Sequence, residues 1–401
     1  MQKLKTILLL LSISLTACAQ NPFKTLSDSL AKAYLQNKPG SLVIGIFDNG
    51  RQKIFYYGET SKGNKQTPDS GSIFELGEIT ETFTSVLYAE MSVKGIVKMD
   101  EKLQDMLPVN VPAPVYHEII CKKADDASQL GQMQEQKANV KIDFTPYVCF
   151  PDPSSKPQYL ILCDLATHTT GLPAYPSNLK KNKSNPYGGY QTEDLYTYLK
   201  NHNFSKPLGY DYEYSATGMA LLGHALSLKM QTGFDTLLTD RILVPLKMTD
   251  TEIILSEQNK SRLVTGYNRK GREASPWVYD VLAPSGGLHS TPSDMMKFLS
   301  ANLNKEKNDY VNILDYTHNA RLRLTDKKED TEIALGWKIN SLGAEHNRVV
   351  WQQGSTGGYS AYIGFVETNH TGVFVLSSVS KNVDFIGLKI LQKLSREKMN
   401  D

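Results

Sequence analysis

Two β-hairpins are predicted near opposite ends of the chain from short apolar runs separated by turn residues. Leu42–Phe47 and Lys53–Tyr57 flank an Asn-Gly pair, which supplies the positive φ angles of a tight turn. Ala361–Val366 and Val373–Leu376 flank a second turn over 368–372. Strands contributed by both ends of the chain predict one antiparallel sheet.

Helices are predicted between the hairpins and after the second one, because apolar residues recur there at three- and four-residue intervals. These segments are Glu81–Val93, Thr192–Leu199, Thr217–Met230, Ser293–Leu303 and the stretch from Phe385 to Leu394. The proline-containing polar segment 122–157 predicts a long loop or an insertion, placed at about 115–157. The pattern as a whole predicts an α+β fold.

The net charge of the chain argues against nucleic acids as partners. The chain has 401 residues with 44 Lys and Arg against 42 Asp and Glu, and two of those lysines, Lys3 and Lys5, lie in the predicted leader. The remaining chain is formally neutral, whereas proteins that track phosphate backbones usually carry a basic excess. We therefore expect no nucleic-acid partner.

The first residues have the pattern of an export signal. An uncharged apolar run over 6–15 follows the two lysines, which is too short to span a bilayer but typical of a signal-peptide core. It ends at Leu15-Thr16-Ala17-Cys18, which resembles the bacterial lipoprotein box. We therefore predict a signal peptide over 1–17, an acylated Cys18 that anchors the protein to a membrane of the cell envelope, and a tether with a first helix over 18–40. The alternative is plain secretion with cleavage near Ala19.

Three further cysteines bear on the chemistry. A Cys121–Cys149 disulfide is plausible in an oxidising compartment, and the alternative is three independent thiols. Cys163 lies in an apolar run and is expected to be buried. No Cys or His pair stands at the short spacing of metal ligands, so the sequence predicts neither a metal site nor a cofactor.

Several segments, taken together and in order, resemble class C beta-lactamases and related penicillin-recognising serine hydrolases. They are Phe74–Gly77 with Thr82–Thr84, Asp164–Pro173, Tyr212–Ser215 with Leu221–Gly223, Pro245–Met248, Gly286–Thr291 with Asp294, and Gly354–Tyr359. The resemblance runs from about Leu42 to Leu394. It implies a two-lobed domain over 41–394, an antiparallel sheet flanked by helices plus a helical lobe, with the active site in the cleft between them.

The first catalytic motif of the family is altered here. Family enzymes carry a nucleophilic Ser at a helix N-terminus and a Lys one turn later that takes its proton. The corresponding residues are Glu78 and Glu81. Glu78 has no hydroxyl to form an acyl-enzyme, and Glu81 replaces a cation with an anion.

The other two catalytic motifs have each lost a functional side chain. The family's Tyr-x-Asn becomes Tyr214-Ser215-Ala216, which keeps the phenol and loses the amide, and we expect that phenol to stay protonated at neutral pH. The third motif, a Lys or His followed by a small residue and Gly on a strand edge, becomes Gln352-Gln353-Gly354, followed by Ser355 and Thr356. We expect the residues of both motifs to line the cleft.

Backbone donors do not depend on side-chain identity, so half of an oxyanion hole can persist near Gly354. The other half would be the N–H of residue 78. We expect the Glu78 carboxylate to fold toward these donors and to stay ionised there, because a helix N-terminus favours an anion.

These substitutions predict an envelope lipoprotein without the family's catalysis, which keeps the cleft to bind a peptidoglycan-type peptide, a small molecule or an envelope protein. Two alternatives stay open. One is an active serine hydrolase of the family, such as a beta-lactamase, a D-Ala-D-Ala carboxypeptidase or an esterase. The other is a hydrolase that uses Glu78 and Glu81 as a new pair of carboxylates.

Overall fold

A computed structural model describes residues 22–36, 38–123, 147–152, 154–180, 184–303, 309–324, 330–343 and 346–397. The predicted signal peptide and Cys18 lie outside these residues. The strands are β1 (Ser41–Asp48), β2 (Arg51–Gly58), β3 (Phe74–Glu75), β4 (Val115–Tyr116), β5 (Ile119–Lys123), β6 (Tyr147–Pro151), β7 (Gln158–Tyr159), β8 (Gly266–Tyr267), β9 (Glu273–Ala274), β10 (His289–Ser290), β11 (Leu322–Leu324), β12 (Thr331–Ile333), β13 (Lys338–Leu342), β14 (Asn347–Ser355), β15 (Ser360–Val366) and β16 (Thr371–Ser377).

The α-helices match the segments predicted from apolar spacing to within a few residues, and several shorter ones join them. They are α1 (Pro22–Leu35), α2 (Thr80–Val93), α3 (Leu162–Thr167), α4 (Thr192–Asn201), α5 (Ala216–Met230), α6 (Phe234–Leu238), α7 (Glu257–Lys260), α8 (Pro292–Leu303), α9 (Asp309–Thr317) and α10 (Asp384–Glu397).

The main sheet is antiparallel and joins the two ends of the chain, as predicted. Its order is β11-β12-β13-β14-β15-β16-β1-β2, and β1 pairs with β16 in a register that places Leu42 opposite Ser377. Asn49 and Gly50 have φ angles of 48° and 83° in the β1–β2 turn, so the Asn-Gly pair adopts the predicted left-handed conformation.

Each face of the sheet supports its own apolar core, because successive side chains of a strand point to opposite faces. On β1, Val43 and Phe47 pack with the helices of the larger lobe. Leu42, Ile44 and Ile46 pack on the other face with α1 and α10. The cleft lies where the end of β14 meets the turn that precedes α2.

Helices α1 and α10 lie side by side and run in opposite directions. The side chain of Lys393, near the end of α10, lies over the ring of Phe23 near the start of α1, 6.0 Å from its centroid. At the other end, the Tyr34 hydroxyl donates to the carbonyl of Lys381 at 2.6 Å. Within the described residues, no helix combines the length and the apolar character needed to cross a membrane.

The segment predicted to be a long loop or an insertion contains strands. β5 pairs with β6, and the register places Cys121 opposite Cys149. Aromatic and β-branched residues at 147–150 favour extended structure. Residues 124–146 lie outside the described part of the chain. Cys163 is a free thiol at the start of α3 and is half-buried, not fully buried as expected.

Candidate active-site cleft

The residue at the family's nucleophile position, Glu78, lies in a 3₁₀ turn, Gly77–Ile79, that leads into α2. Two glycines let this turn lie directly against β14. A Cβ at Gly354 would lie 2.0 Å from the Leu76 carbonyl oxygen, and one at Gly77 would lie 2.6 Å from the Ser355 nitrogen. The turn is further fixed by Thr80, whose hydroxyl donates to the Gly77 carbonyl at 2.7 Å.

The Glu78 carboxylate folds back onto the backbone donors beside it, as expected from the sequence. The Ser355 N–H donates to Glu78 Oε2 at 2.7 Å. Burial raises the pKa of Glu78 to about 7, although the N–H groups of Ser355 and of Glu78 itself act to lower it. The loss of hydration therefore acts against the expected ionisation of Glu78 and outweighs these backbone donors.

Glu81 lies beneath Glu78 in a cluster with Tyr214 and His168. The Glu81 side chain is fully buried, and its Oε1 accepts a hydrogen bond from the Tyr214 hydroxyl at 2.9 Å. Its Oε2 lies 3.4 Å from Nε2 of His168. Burial, together with the negative charges of Glu81 and Glu78, raises the pKa of Tyr214 well above its usual value. Tyr214 is therefore a neutral phenol that donates to a carboxylate, as predicted.

His168 ends α3 in the left-handed backbone conformation. His168 has a φ of 57° and ends that helix, and the Ser215 N–H lies 3.2 Å from its Nδ1. The Ser215 carbonyl oxygen lies at the same distance of 3.2 Å from Nδ1, so this nitrogen faces both backbone groups of Ser215. The imidazole thus lies beside Glu81 Oε2, which has no hydrogen-bond partner among the described residues.

The third motif keeps its backbone and has lost its cation. The Gln352 amide donates to the Gly336 carbonyl at 3.0 Å, and its oxygen accepts from the Gln353 N–H at 3.0 Å. Both ends of this side chain are therefore occupied by the backbone. A cation from the neighbouring strand lies near this site, because Lys338 of β13 lines the cavity and its positive charge acts against the raised pKa of Glu78.

The cavity beside Glu78 has a volume of about 300 Å³. Six of the predicted site residues line it: Glu78, Tyr214, Gln352, Gln353, Gly354 and Ser355. The side chains of Arg269, Lys338 and Asp384 add charge to its wall.

Four of the predicted site residues do not line this cavity. Glu81 is buried behind Tyr214, and Ala216 and Thr356 are almost wholly inaccessible. Ser215 is fully buried because its hydroxyl caps α5, accepting from the Gly218 N–H and donating to the Pro173 carbonyl.

Aromatic residues form a wall near Glu78. Tyr187 stacks on Tyr279 with ring centroids 4.6 Å apart, and its centroid lies 5.1 Å from that of Trp277 and 5.3 Å from that of Tyr175. Burial and the charge of Glu78 both act to raise the pKa values of Tyr175, Tyr187 and Tyr279. These rings therefore lie near the Glu78 carboxyl without lining the cavity beside it.

A second buried carboxyl lies behind the aromatic wall. Glu75 Oε1 accepts from the Trp277 N–H at 2.8 Å. Burial raises the pKa of Glu75 to about 7, whereas its hydrogen bonds to Thr356 and to that N–H act to lower it.

A beta-lactamase family model matches residues 28–395. The chain belongs to the beta-lactamase family. Among curated relatives, the D-alanyl-D-alanine-carboxypeptidase/endopeptidase AmpH of Escherichia coli is 25% identical over 341 residues, which cover 82% of this chain and 77% of that protein. A beta-lactamase of Pseudomonas fluorescens is 21% identical over 385 residues, which cover 88% of this chain and 92% of that protein.

Solved structures give the same fold. A beta-lactamase/D-alanine carboxypeptidase from Yersinia pestis, complexed with citrate, matches with a TM-score of 0.72 at 23% identity, covering 94% of this chain and 98% of that one. A class C beta-lactamase from Rhodobacter sphaeroides matches with a TM-score of 0.70 at 18% identity. The α+β fold predicted from the sequence is therefore confirmed.

Sequence reasoning did not assign His168 and Lys338 to the site. His168 lies within one of the motif segments, and that was the available signal. Lys338 has no local signal, because only the pairing of β13 with β14 brings it to the cavity.

Proposed function

We propose that this beta-lactamase family member binds a ligand in its cleft without performing the family's acyl transfer. The observation that carries the proposal is the Glu78 carboxylate, which accepts the Ser355 N–H at 2.7 Å. This is the donor that half of an oxyanion hole would use to stabilise a tetrahedral intermediate. The Glu78 side chain thus takes the place of the nucleophile, and its carboxylate competes with a substrate oxygen for the Ser355 N–H.

The rest of the cluster supports the same proposal. Glu81 stands where a Lys would take the proton of the nucleophile, and it already accepts from the Tyr214 hydroxyl. A Tyr214 phenol held neutral by burial and by two carboxylates cannot serve as a phenolate base near pH 7.

The cavity retains the features of a binding site. It combines a hydrogen-bonding strand end at Gln353–Ser355 with charged groups of both signs, and such convergent polar groups orient a bound ligand. We propose that the ligand is a peptidoglycan-type peptide, a small molecule or a segment of an envelope protein. We further propose that Cys18 is acylated and holds the protein at a membrane of the cell envelope.

The test is a hydrolase panel combined with a binding measurement on the mature chain carrying Cys18→Ser. The panel contains a chromogenic beta-lactam, an ester and acetyl-Lys-D-Ala-D-Ala, and calorimetry measures binding of the same peptide. We expect no turnover on the panel. Turnover that depends on Glu78 or Tyr214 would overturn the proposal of a silent site.

A second function has one specific observation in its favour. The pKa of Glu78 is raised to about 7, and a group that titrates near the working pH is suited to general acid–base catalysis. Glu78 would then activate water, with Glu81 and Tyr214 behind it. This function predicts turnover that Glu78→Gln abolishes and that follows a single ionisation near pH 7.

A further inference from the structure

The end of the molecule at which α1 begins is basic, although the mature chain as a whole is formally neutral. Lys389, Lys393 and Arg396 recur at intervals of four and three residues, which places them on one face of α10. Lys389 and Arg396 are exposed. Lys393 lies over Phe23, so this face lies beside the start of α1.

Helix α1 contributes a fourth cation to this end. The Lys24 side chain is 61% exposed and pairs with Asp28 at 2.7 Å. Asp28 also accepts from the Tyr57 hydroxyl at 2.9 Å, which directs this carboxylate toward β2. The second acidic residue of the two helices at this end is Glu397. This end therefore carries four basic residues and two acidic ones.

The length of chain before α1 places this end next to the membrane. Cys18 and Pro22 are separated by three residues, 19–21, and four residue steps span at most about 14 Å. The step from chain length to membrane contact rests on the proposed acylation of Cys18. An anchored Cys18 would hold the start of α1 within that distance of the lipid headgroups.

We propose that Lys24, Lys389, Lys393 and Arg396 form a docking surface for anionic phospholipid headgroups. Basic residues close to an anionic membrane each contribute about 1 kcal/mol to association, which is about five-fold per residue. The surface would orient the molecule, whereas a lipid anchor alone leaves the body free to rotate about its tether.

The docked orientation has a consequence for the cleft. Val383 and Asp384, at the opposite end of α10 from Lys393, line the cavity beside Glu78. Lys393 follows Asp384 by nine residue steps along the helix, a rise of about 14 Å. With Cys18 held at the membrane, the cavity therefore lies at the end of α10 farther from the anchor.

The test uses the unlipidated mature chain with Cys18→Ser and sedimentation with vesicles of phosphatidylcholine, with and without phosphatidylglycerol. We expect binding only to the anionic vesicles, lost at about 1 M salt, where the screening length falls to about 3 Å. The variant Lys389→Gln, Lys393→Gln, Arg396→Gln should bind on the order of 100-fold more weakly.

A matched control removes the same charge elsewhere, with Lys62→Gln, Lys200→Gln and Lys270→Gln at exposed positions. This control should bind like the parent, and thermal melts should show that both variants fold. Equal binding by the two triple variants, or no preference of the parent for anionic vesicles, would overturn the docking surface. The chain tested carries no lipid, so the vesicle result does not depend on whether Cys18 is acylated. Acylation is tested separately, by asking whether the native protein is recovered with membranes.

Discussion

The side chain at position 78 affects the cleft both by what it lacks and by where it lies. It has no hydroxyl to attack a carbonyl carbon, and its carboxylate accepts the Ser355 N–H. The sequence was sufficient to predict both effects, because they follow from residue type and motif position. It did not predict the raised pKa of Glu78, because that depends on how deeply the folded chain buries the carboxyl.

Restoring the nucleophile alone should not restore catalysis. Glu78→Ser frees the Ser355 N–H and supplies a hydroxyl, but Glu81 still accepts from Tyr214 at the position where a Lys would be needed. We expect no more than trace hydrolysis of a chromogenic beta-lactam.

Combining Glu78→Ser with Glu81→Lys, Ala216→Asn and Gln352→His should exceed every single change, because these four positions act as one unit. Steady-state rates of the five variants and the parent test this, with circular dichroism as the folding control. A single change that matches the combination would show that the four positions act independently.

The raised pKa of Glu75 predicts how stability depends on pH. The folded state raises this pKa from 4.5 to about 7, so the folded state binds the proton more tightly than the unfolded state. The resulting stabilisation is fully present below about pH 4.5 and is lost as the pH rises through 7, a change of about 3 kcal/mol in the free energy of unfolding.

Glu75→Gln should therefore be more stable than the parent at pH 8 and gain little at pH 5, since its amide oxygen can still accept from the Trp277 N–H. Urea unfolding at both pH values measures this, and Glu193→Gln at an exposed position is the control. Identical pH slopes for Glu75→Gln and the parent would contradict the assignment.

At the scale of elements, the hairpins and long helices could be predicted because each carries its signal locally. The Asn49-Gly50 turn and the apolar spacing of α2 and α5 are examples. The cavity wall could not be predicted, since it forms where β13, β14, α10 and the turn before α2 converge. Those contacts join residues far apart in sequence.

The close approach of β14 to the turn before α2 makes Gly354 a sensitive position. A Cβ there would lie 2.0 Å from the Leu76 carbonyl oxygen and 2.8 Å from the Glu78 nitrogen. Neither backbone atom can move without shifting the turn, so Gly354→Ala should destabilise the fold by about 1–3 kcal/mol. Ser355→Ala keeps the N–H and is the control, and equal melting temperatures for the two variants would contradict the steric argument.

The register of β5 and β6 supports the predicted disulfide. Residues directly opposite each other in an antiparallel pair have Cα atoms about 4.5–5.5 Å apart, which lies within the range that a disulfide spans. Cys121 and Cys149 occupy such positions.

A non-reduced peptide map should link Cys121 to Cys149 and leave Cys163 to be alkylated. Reducing the bond should lower the free energy of unfolding by about 3–4 kcal/mol, the value typical of a loop of this length. If both cysteines are alkylated without reductant, the predicted disulfide is absent.

At the scale of the whole molecule, the fold and the chemistry rest on different residues. Most side chains of the two apolar cores on either side of the sheet do not line the cavity beside Glu78. Replacing a nucleophile, a base and a cation with Glu78, Glu81 and Gln352 therefore leaves the architecture intact, consistent with the TM-score of 0.72 to a relative only 23% identical.

The most direct test of a cleft without acyl transfer is intact-mass spectrometry of the mature Cys18→Ser chain after incubation with a penicillin. A serine hydrolase of this family forms an acyl-enzyme that adds the mass of the whole drug. We predict an unchanged mass for the parent, because Glu78 offers no hydroxyl and its carboxylate accepts the Ser355 N–H. A covalent adduct on the parent, mapped to any residue lining the cavity beside Glu78, would contradict this account.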